Sequence, residues 1–410
     1  MQRIGLGALL FAAILYACFS SPTPDAPGLP EILILISLAL AALCGGIERA
    51  TWQTPWAKPL TILVGYGLCA GMFVGVFVGN ASADMARDVV GFMALAVPLL
   101  LAGHYKNQKA LFAVLLFIGM CFAARYLAMP DMLIGMGNTD LLYLANSPLV
   151  AFAATWLLLH GCFQQKRVWL AIICAIASAL PILAMAGMMQ RATLAMLAGA
   201  WLVLLVVTLL KKPRRGITVA IGFSILLCIA WPWVVGLYGA LVDKTNAVGW
   251  NARGAEITAL ADAVNQSPLT AIFGAGWGSM FKSPAVGDIW VRFSHSLLTS
   301  LWWKLGWVGF LLGVGAVTAL VAGMVKRLRH DLVMLCALLL PLLPALLLYG
   351  SYKSLCFGLL LLGCARLNWT LTPRNANQTA SHDCKQRASV HPDCQSHLSA
   401  DAGRDGPAAA

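Results

Sequence analysis

Apolar runs long enough to cross a bilayer, separated by short polar connectors, set the terms on which this chain can fold. A bilayer's hydrocarbon core is about 30 Å thick, so a helix needs about 20 apolar residues to cross it. Runs of that length, or close to it, occupy residues 4–20, 32–47, 59–79, 89–103, 109–129, 148–164, 168–188, 192–210, 216–239, 306–325, 332–349 and 354–366. The runs 89–103 and 354–366 are short for the task, and 295–304 either extends the tenth run or lies as an interfacial helix. In lipid each backbone N–H and C=O must be paired internally, so runs of this kind are helices. An all-α polytopic membrane protein with about 12 transmembrane helices is the prediction. Composition agrees, because 60% of the residues are hydrophobic and only 11% are charged.

Charge in the connectors orients these helices. Basic residues of polytopic proteins gather on the cytoplasmic side. One alternating set of connectors holds Arg3, Arg49, Lys58, Lys106, Lys109, Lys166, Arg167, Lys211, Lys212, Arg214, Arg215, Lys326, Arg327 and Arg329, and the polar C-terminal tail adds five more. The other set carries the acids Asp25, Glu31, Asp84, Asp88, Asp131, Asp140, Asp243, Glu256, Asp262 and Asp288. Both termini are therefore expected in the cytoplasm, and the +12 formal charge reflects topology rather than nucleic-acid binding. The expected organisation is spans one to nine in residues 1–240, a long outer loop in 241–305, spans ten to twelve in 306–366, and a disordered cytoplasmic tail in 367–410. The tail's Cys384 and Cys394, with His382, His391 and His397, match no usual zinc-ligand spacing.

Several chemistries lack their residues. No Asp or Glu falls in the middle of a run, which counts against an ion-coupled carrier. No Gly-x-x-x-x-Gly-Lys-Ser/Thr loop is present, and the outer connectors hold no Asp-x-Asp pair or His-Glu-x-x-His. Chemistry at the outer face is expected to need neither ATP nor a metal or other cofactor.

The outer loop holds what remains. Ile257, Leu260, Ala261 and Val264 recur at helical spacing, with Asn251 placed to cap the helix and Ser267-Pro268 to end it. Arg253 then lies in the first turn, where a cation opposes the helix dipole. It either pairs with Glu256 locally or joins the free N–H groups of the helix end in holding an anion such as phosphate. Gly274, Gly276 and Gly278 are a flexible turn or a place where backbone closely approaches a ligand. His295, the only histidine of the outer face, is an interfacial hydrogen-bonding residue or a general base. Arg191, in a tight turn between the seventh and eighth runs, is an anchor at the membrane surface or a headgroup ligand. Arg87 and Lys353 read as snorkelling anchors.

In their order, these parts resemble the bacterial O-antigen ligase and polymerase superfamily. The likeness rests on Arg191 at the outer start of a helix, Arg253 in the long loop, and Gly274-x-Gly276-x-Gly278 following Pro268. His295-Ser296-Leu297-Leu298 and then Leu305-Gly306-Trp307-Val308-Gly309 complete it. The chain departs from the pattern at Gln190-Arg191-Ala192, where members often have Ser-Arg-Gly. It departs again at His295-Ser296, where they have His-Asn, and at Ile257, where an aromatic is common. The resemblance implies a glycosyltransferase in the bacterial inner membrane that works on the periplasmic side. Its donor would be undecaprenyl-diphosphate-linked glycan, and its acceptor a sugar hydroxyl of lipid A–core, with inversion at the anomeric carbon. It implies catalytic roles for His295, Arg253 and Arg191. Arg125, Gly274, Gly276, Gly278, Lys282 and Arg292 would contact the diphosphate or glycan. A polymerase using the same donor and, more remotely, a glycolipid flippase are the alternatives.

Overall fold

The computed structural model describes residues 1–22, 28–47, 49–104, 108–129, 143–248 and 252–368. Asp25, Lys106, Asp131, Asp140, Asn251 and the tail beyond 368, with its Cys and His residues, lie outside the described residues.

The chain is a helical membrane protein. Among the described residues, six helices are long and apolar enough to cross a bilayer, and these are α3 (Ala57–Val78), α6 (Gln108–Leu127), α8 (Val168–Gly187), α9 (Arg191–Lys211), α10 (Pro213–Val248) and α13 (Leu297–Leu328). Shorter apolar helices are α1 (Gln2–Phe19), α2 (Leu29–Ala41), α7 (Pro148–Phe163), α14 (Leu332–Leu347) and α15 (Leu355–Asn368). The run at 89–103 is broken into α4 (Ser82–Phe92), a 3₁₀ turn Met93–Ala96, and α5 (Val97–Leu101). Pro98 explains the break, since proline is accommodated only in the first turn of a new helix.

Helix α7 lies at the centre and packs on α6, α8 and α14. Its Ala151, Ala153, Ala154 and Gly161 are small enough to let neighbours close in on every side. Helix α10, in contrast, packs mainly against α9 and presents an apolar exterior, as a lipid-facing helix does. At 36 residues it is about 54 Å long, well beyond the bilayer core. Residues 241–248, read from sequence as loop, therefore continue this helix.

The polar segment that follows is built, not loose. It contains α11 (Arg253–Val264), α12 (Pro268–Phe273) and an antiparallel hairpin of β1 (Phe281–Ser283) and β2 (Ile289–Val291). This two-stranded hairpin is a small addition to a chain that is otherwise helical, as expected of an all-α membrane protein. Phe281 and Val291 pair on its buried face, while Lys282 and Trp290 pair on its exposed face. Gly287 (φ +81°) and Asp288 (φ +60°) make the left-handed turn between the strands. Residues 297–304 extend the next transmembrane helix rather than lying separately, with a break at Gly306 (φ +65°).

Candidate functional site

Helix α11 exposes Ile257 and buries Glu256, Leu260 and Val264. Leu260 and Val264 of the expected apolar stripe are buried, but the carboxylate of Glu256 takes the first position in place of Ile257. Glu256 is buried because three partners hold it. His295 Nδ1 lies 2.8 Å from its Oε1, Ser283 Oγ donates to the same oxygen at 3.3 Å, and Arg253 Nη1 stands 3.6 Å from Oε2. Burial pushes the Glu256 carboxyl up, but His295, Arg253 and Ser283 together hold it below its ordinary value. It is an ionised carboxylate at neutral pH.

Of the two readings open to Arg253 from sequence, the structure shows the local one. It does pair with Glu256, yet 3.6 Å is too long for a hydrogen bond. Its Nη1 is buried with no hydrogen-bond partner among the described residues. The helix start beside it has no side-chain cap either, because the N-cap position is Ala252 in a left-handed conformation (φ 50°). An unbonded Nη1 on a half-buried guanidinium, beside an uncapped helix start, leaves room for an anion.

Arg191 opens α9, and its Nη1 donates to Thr245 Oγ1 near the end of α10 at 2.8 Å. Tyr349, just past the end of α14, links the two arginines. Its ring is half-buried beside Thr193, close enough to Arg191 and Arg253 to interact with both. Burial raises its pKa, and Thr193, Arg191 and Arg253 oppose the rise without cancelling it, so the hydroxyl stays protonated and can donate. Arg253, Glu256 and His295 thus come together, and Tyr349, which the sequence reading missed, lies within electrostatic reach of Arg253 and Arg191.

The glycine run does something other than cradle a ligand. Gly274, Gly276 and Gly278 all have positive φ, at +83°, +74° and +81°. A Cβ on Gly274 would meet the backbone of Lys304 and Leu305 at 2.4 Å, and one on Gly276 would meet Gly75 N at 2.3 Å. The donors of the run are already engaged. Ala275 N bonds Trp303 O (2.9 Å), Gly276 N bonds Lys304 O (3.0 Å) and Gly278 N bonds Asp88 Oδ2 (2.9 Å). Between them Trp277 is inserted against α3, where residues Gly67–Gly71 form a π-helical turn. Such a turn frees carbonyls from the helical ladder. Trp277 takes two of these, with Nε1 on Gly67 O (2.7 Å) and its backbone N on Gly71 O (3.1 Å). Glycine is required here so that the loop can seat on its own protein, which corrects the ligand-contact expectation for all three positions.

The remaining candidates separate from this centre. Arg125 donates Nη1 to Ala17 O (3.0 Å) and Ser20 O (2.6 Å), closing the C-terminal end of α1, a packing role in place of the expected diphosphate contact. Arg292 pairs with Asp84, and Lys282 points outward from the hairpin. Lys353 is no snorkelling anchor. Its Nζ lies 3.6 Å from Asp88 Oδ1 and donates to Arg292 O at 3.5 Å. Arg87 is exposed, as an anchor would be. Among the described residues, no group of three His, Cys, Asp or Glu side chains comes together that could hold a metal ion. Neither family models nor curated proteins give a match to this chain.

Proposed function

We propose that the chain is an O-antigen ligase-like glycosyltransferase of the bacterial inner membrane. Its loop faces the periplasm, and its termini lie in the cytoplasm. The donor is glycan on undecaprenyl diphosphate, and the acceptor is a sugar hydroxyl of lipid A–core. One observation carries this reading: an ionised, buried Glu256 joins His295 to an arginine whose Nη1 still lacks a hydrogen bond.

The pairing suits general-base catalysis. Nδ1–H of His295 donates to Glu256 Oε1, which leaves Nε2 as the basic nitrogen. The acceptor hydroxyl gives its proton to Nε2 while its oxygen bonds to the anomeric carbon of the glycan. The bond from that carbon to the phosphate oxygen breaks, and its electron pair leaves on the lipid diphosphate. Attack opposite the leaving group inverts the centre. Glu256 stabilises the imidazolium as it forms, as the third member does in a catalytic triad. Arg253 and Arg191 stabilise the charge growing on the diphosphate, and the Tyr349 hydroxyl donates to the same group. Departure of the diphosphate supplies the driving force.

The test uses the full-length protein in lipid nanodiscs with lipid-linked donor and purified lipid A–core. Wild type should shift the acceptor to a glycan-bearing product on gels. His295→Ala and Arg253→Ala should abolish the shift at normal protein level. Transfer at wild-type rates by both variants would sink the assignment.

A further inference from the structure

Lys304 is an expensive residue to keep. It lies eight positions into α13, in the sequence Leu301-Trp302-Trp303-Lys304-Leu305, and its side chain is 1% exposed. Removing a charge from water in a membrane protein is costly, and an apolar residue of similar size commonly packs as well or better. Its surroundings show what the charge does. Nζ lies 2.7 Å from Asp88 Oδ2 and donates to Ser279 O at 2.6 Å, over the face of Trp303 at 3.9 Å. The same Asp88 oxygen accepts the backbone N–H of Gly278 at 2.9 Å. One ion pair therefore grips two consecutive loop residues, from opposite sides and through opposite charges.

The grip comes at the middle of the path that closes the reaction centre. Glu256 and His295 are 39 residues apart in sequence. Between them run α12, the glycine run and the hairpin; the stretch from Ala275 to Ser279 is pinned to the helices around it by a series of bonds, and Arg292 and Ser294 are held by Asp84, Lys353 and Tyr352. His295 in turn precedes the helix that carries Lys304, and Ser283 on the hairpin bonds Glu256 directly.

We propose that Asp88 and Lys304 are a positioning pair, which clamps the loop at Gly278 and Ser279 so that Glu256 and His295 meet at hydrogen-bond distance. The pair touches no reacting atom. Its charges serve register: two cheaper apolar side chains would seal the core but could not hold a carbonyl and an amide in fixed places. The effect on catalysis rests on the glycosyltransfer reading, whereas the effect on loop geometry does not.

The experiment compares wild type with Lys304→Met, which leaves Asp88 still beside Lys353, and with the double variant Asp88→Asn/Lys304→Met, which removes both members of the pair. Hydrogen exchange is followed by mass spectrometry in the full-length protein, and transfer kinetics are measured on the same samples. In the double variant, amides 275–279 should exchange at least about tenfold faster, while α7 keeps its wild-type protection. The kcat should fall about 10²-fold with the donor KM unchanged, as expected when a base is misplaced rather than a binding site lost. Wild-type exchange at 275–279, or faster exchange with wild-type kcat, overturns the proposal. Loss of protection in α7 as well as the loop, in both variants, also overturns it, since the pair then serves global stability. If wild type transfers no glycan, the reaction assignment fails, and the exchange measurement still decides the clamp.

Discussion

His295 Nδ1 and Glu256 Oε1 are 2.8 Å apart, although one lies in the connector between the hairpin and α13 and the other on a helix 39 residues earlier. Their contact orients the imidazole of His295, as the proposed general-base role requires. It also makes Glu256 the most informative residue to change.

Glu256→Gln keeps an oxygen to accept from His295 Nδ1–H but removes the charge that stabilises the imidazolium. The expected outcome is a loss of about 10²-fold in kcat with donor KM nearly unchanged, measured by steady-state transfer assays. An unaltered kcat would remove Glu256 from the mechanism.

Arg253→Lys tests geometry separately from charge. A lysine places one cation where a planar fork is needed, so it is not a conservative change at a diphosphate site. The kcat should fall about 10²-fold, as for loss of one preorganised donor to a developing anion. A lysine variant that works like wild type would show that a simple positive charge suffices there.

Tyr349→Phe removes a hydroxyl that burial keeps protonated, within electrostatic reach of Arg191 and Arg253. A hydrogen bond to a charged group predicts a donor KM raised about tenfold, read from the same kinetics with unchanged expression. No change would leave Tyr349 a packing residue.

Two glycines with similar backbone angles should respond differently to alanine. At Gly287 (φ +81°) a Cβ meets nothing within 4 Å, so only the left-handed penalty of about 1–2 kcal/mol applies. At Gly276 (φ +74°) the Cβ would strike Gly75 N at 2.3 Å, adding about 1–3 kcal/mol of overpacking to that penalty. Thermal unfolding in detergent should show Gly276→Ala clearly the less stable variant.

Acid should weaken the loop through Glu256. Its native pKa is depressed below the ordinary 4.5, so the stabilisation is complete above that value and is lost as pH falls through the native one. The melting temperature of wild type should exceed that of Glu256→Gln near neutral pH, and the gap should close under strongly acidic conditions. A gap that is constant with pH would contradict the ion-pair account.

That the chain is a helical membrane protein was legible in sequence because apolar length is a local property, and among the described residues six of the helices are long and apolar enough to cross a bilayer. Arg253, Arg191 and His295 could be singled out for a related reason, being polar residues that apolar segments cannot hide. Glu256 was harder, since a carboxylate three residues from an arginine reads as a surface pair. Its spacing from Leu260 and Val264, four and eight residues on, was the available signal that it faces inward. Asp88 and Lys304 carried a fainter sign, a lone lysine inside a run of tryptophan and leucine. Arg125 misled because nothing local reveals that it closes the end of a helix more than 100 residues away.

By itself the sequence determined that this is a helical membrane protein with a long polar segment bearing Arg253, Arg292, a Gly-x-Gly-x-Gly run and one histidine. Those properties depend on residue type and on neighbours within a few turns. Only the tertiary structure decided what the segment's residues do. It seated the glycine run on α3, set Trp277 on the carbonyls of a π-helical turn, and brought Glu256 to His295. Contacts of that kind depend on how a long loop closes over helices distant in sequence. That closure is governed by buried polar groups finding partners, and here the partners stand as far apart as Gly67 and Trp277.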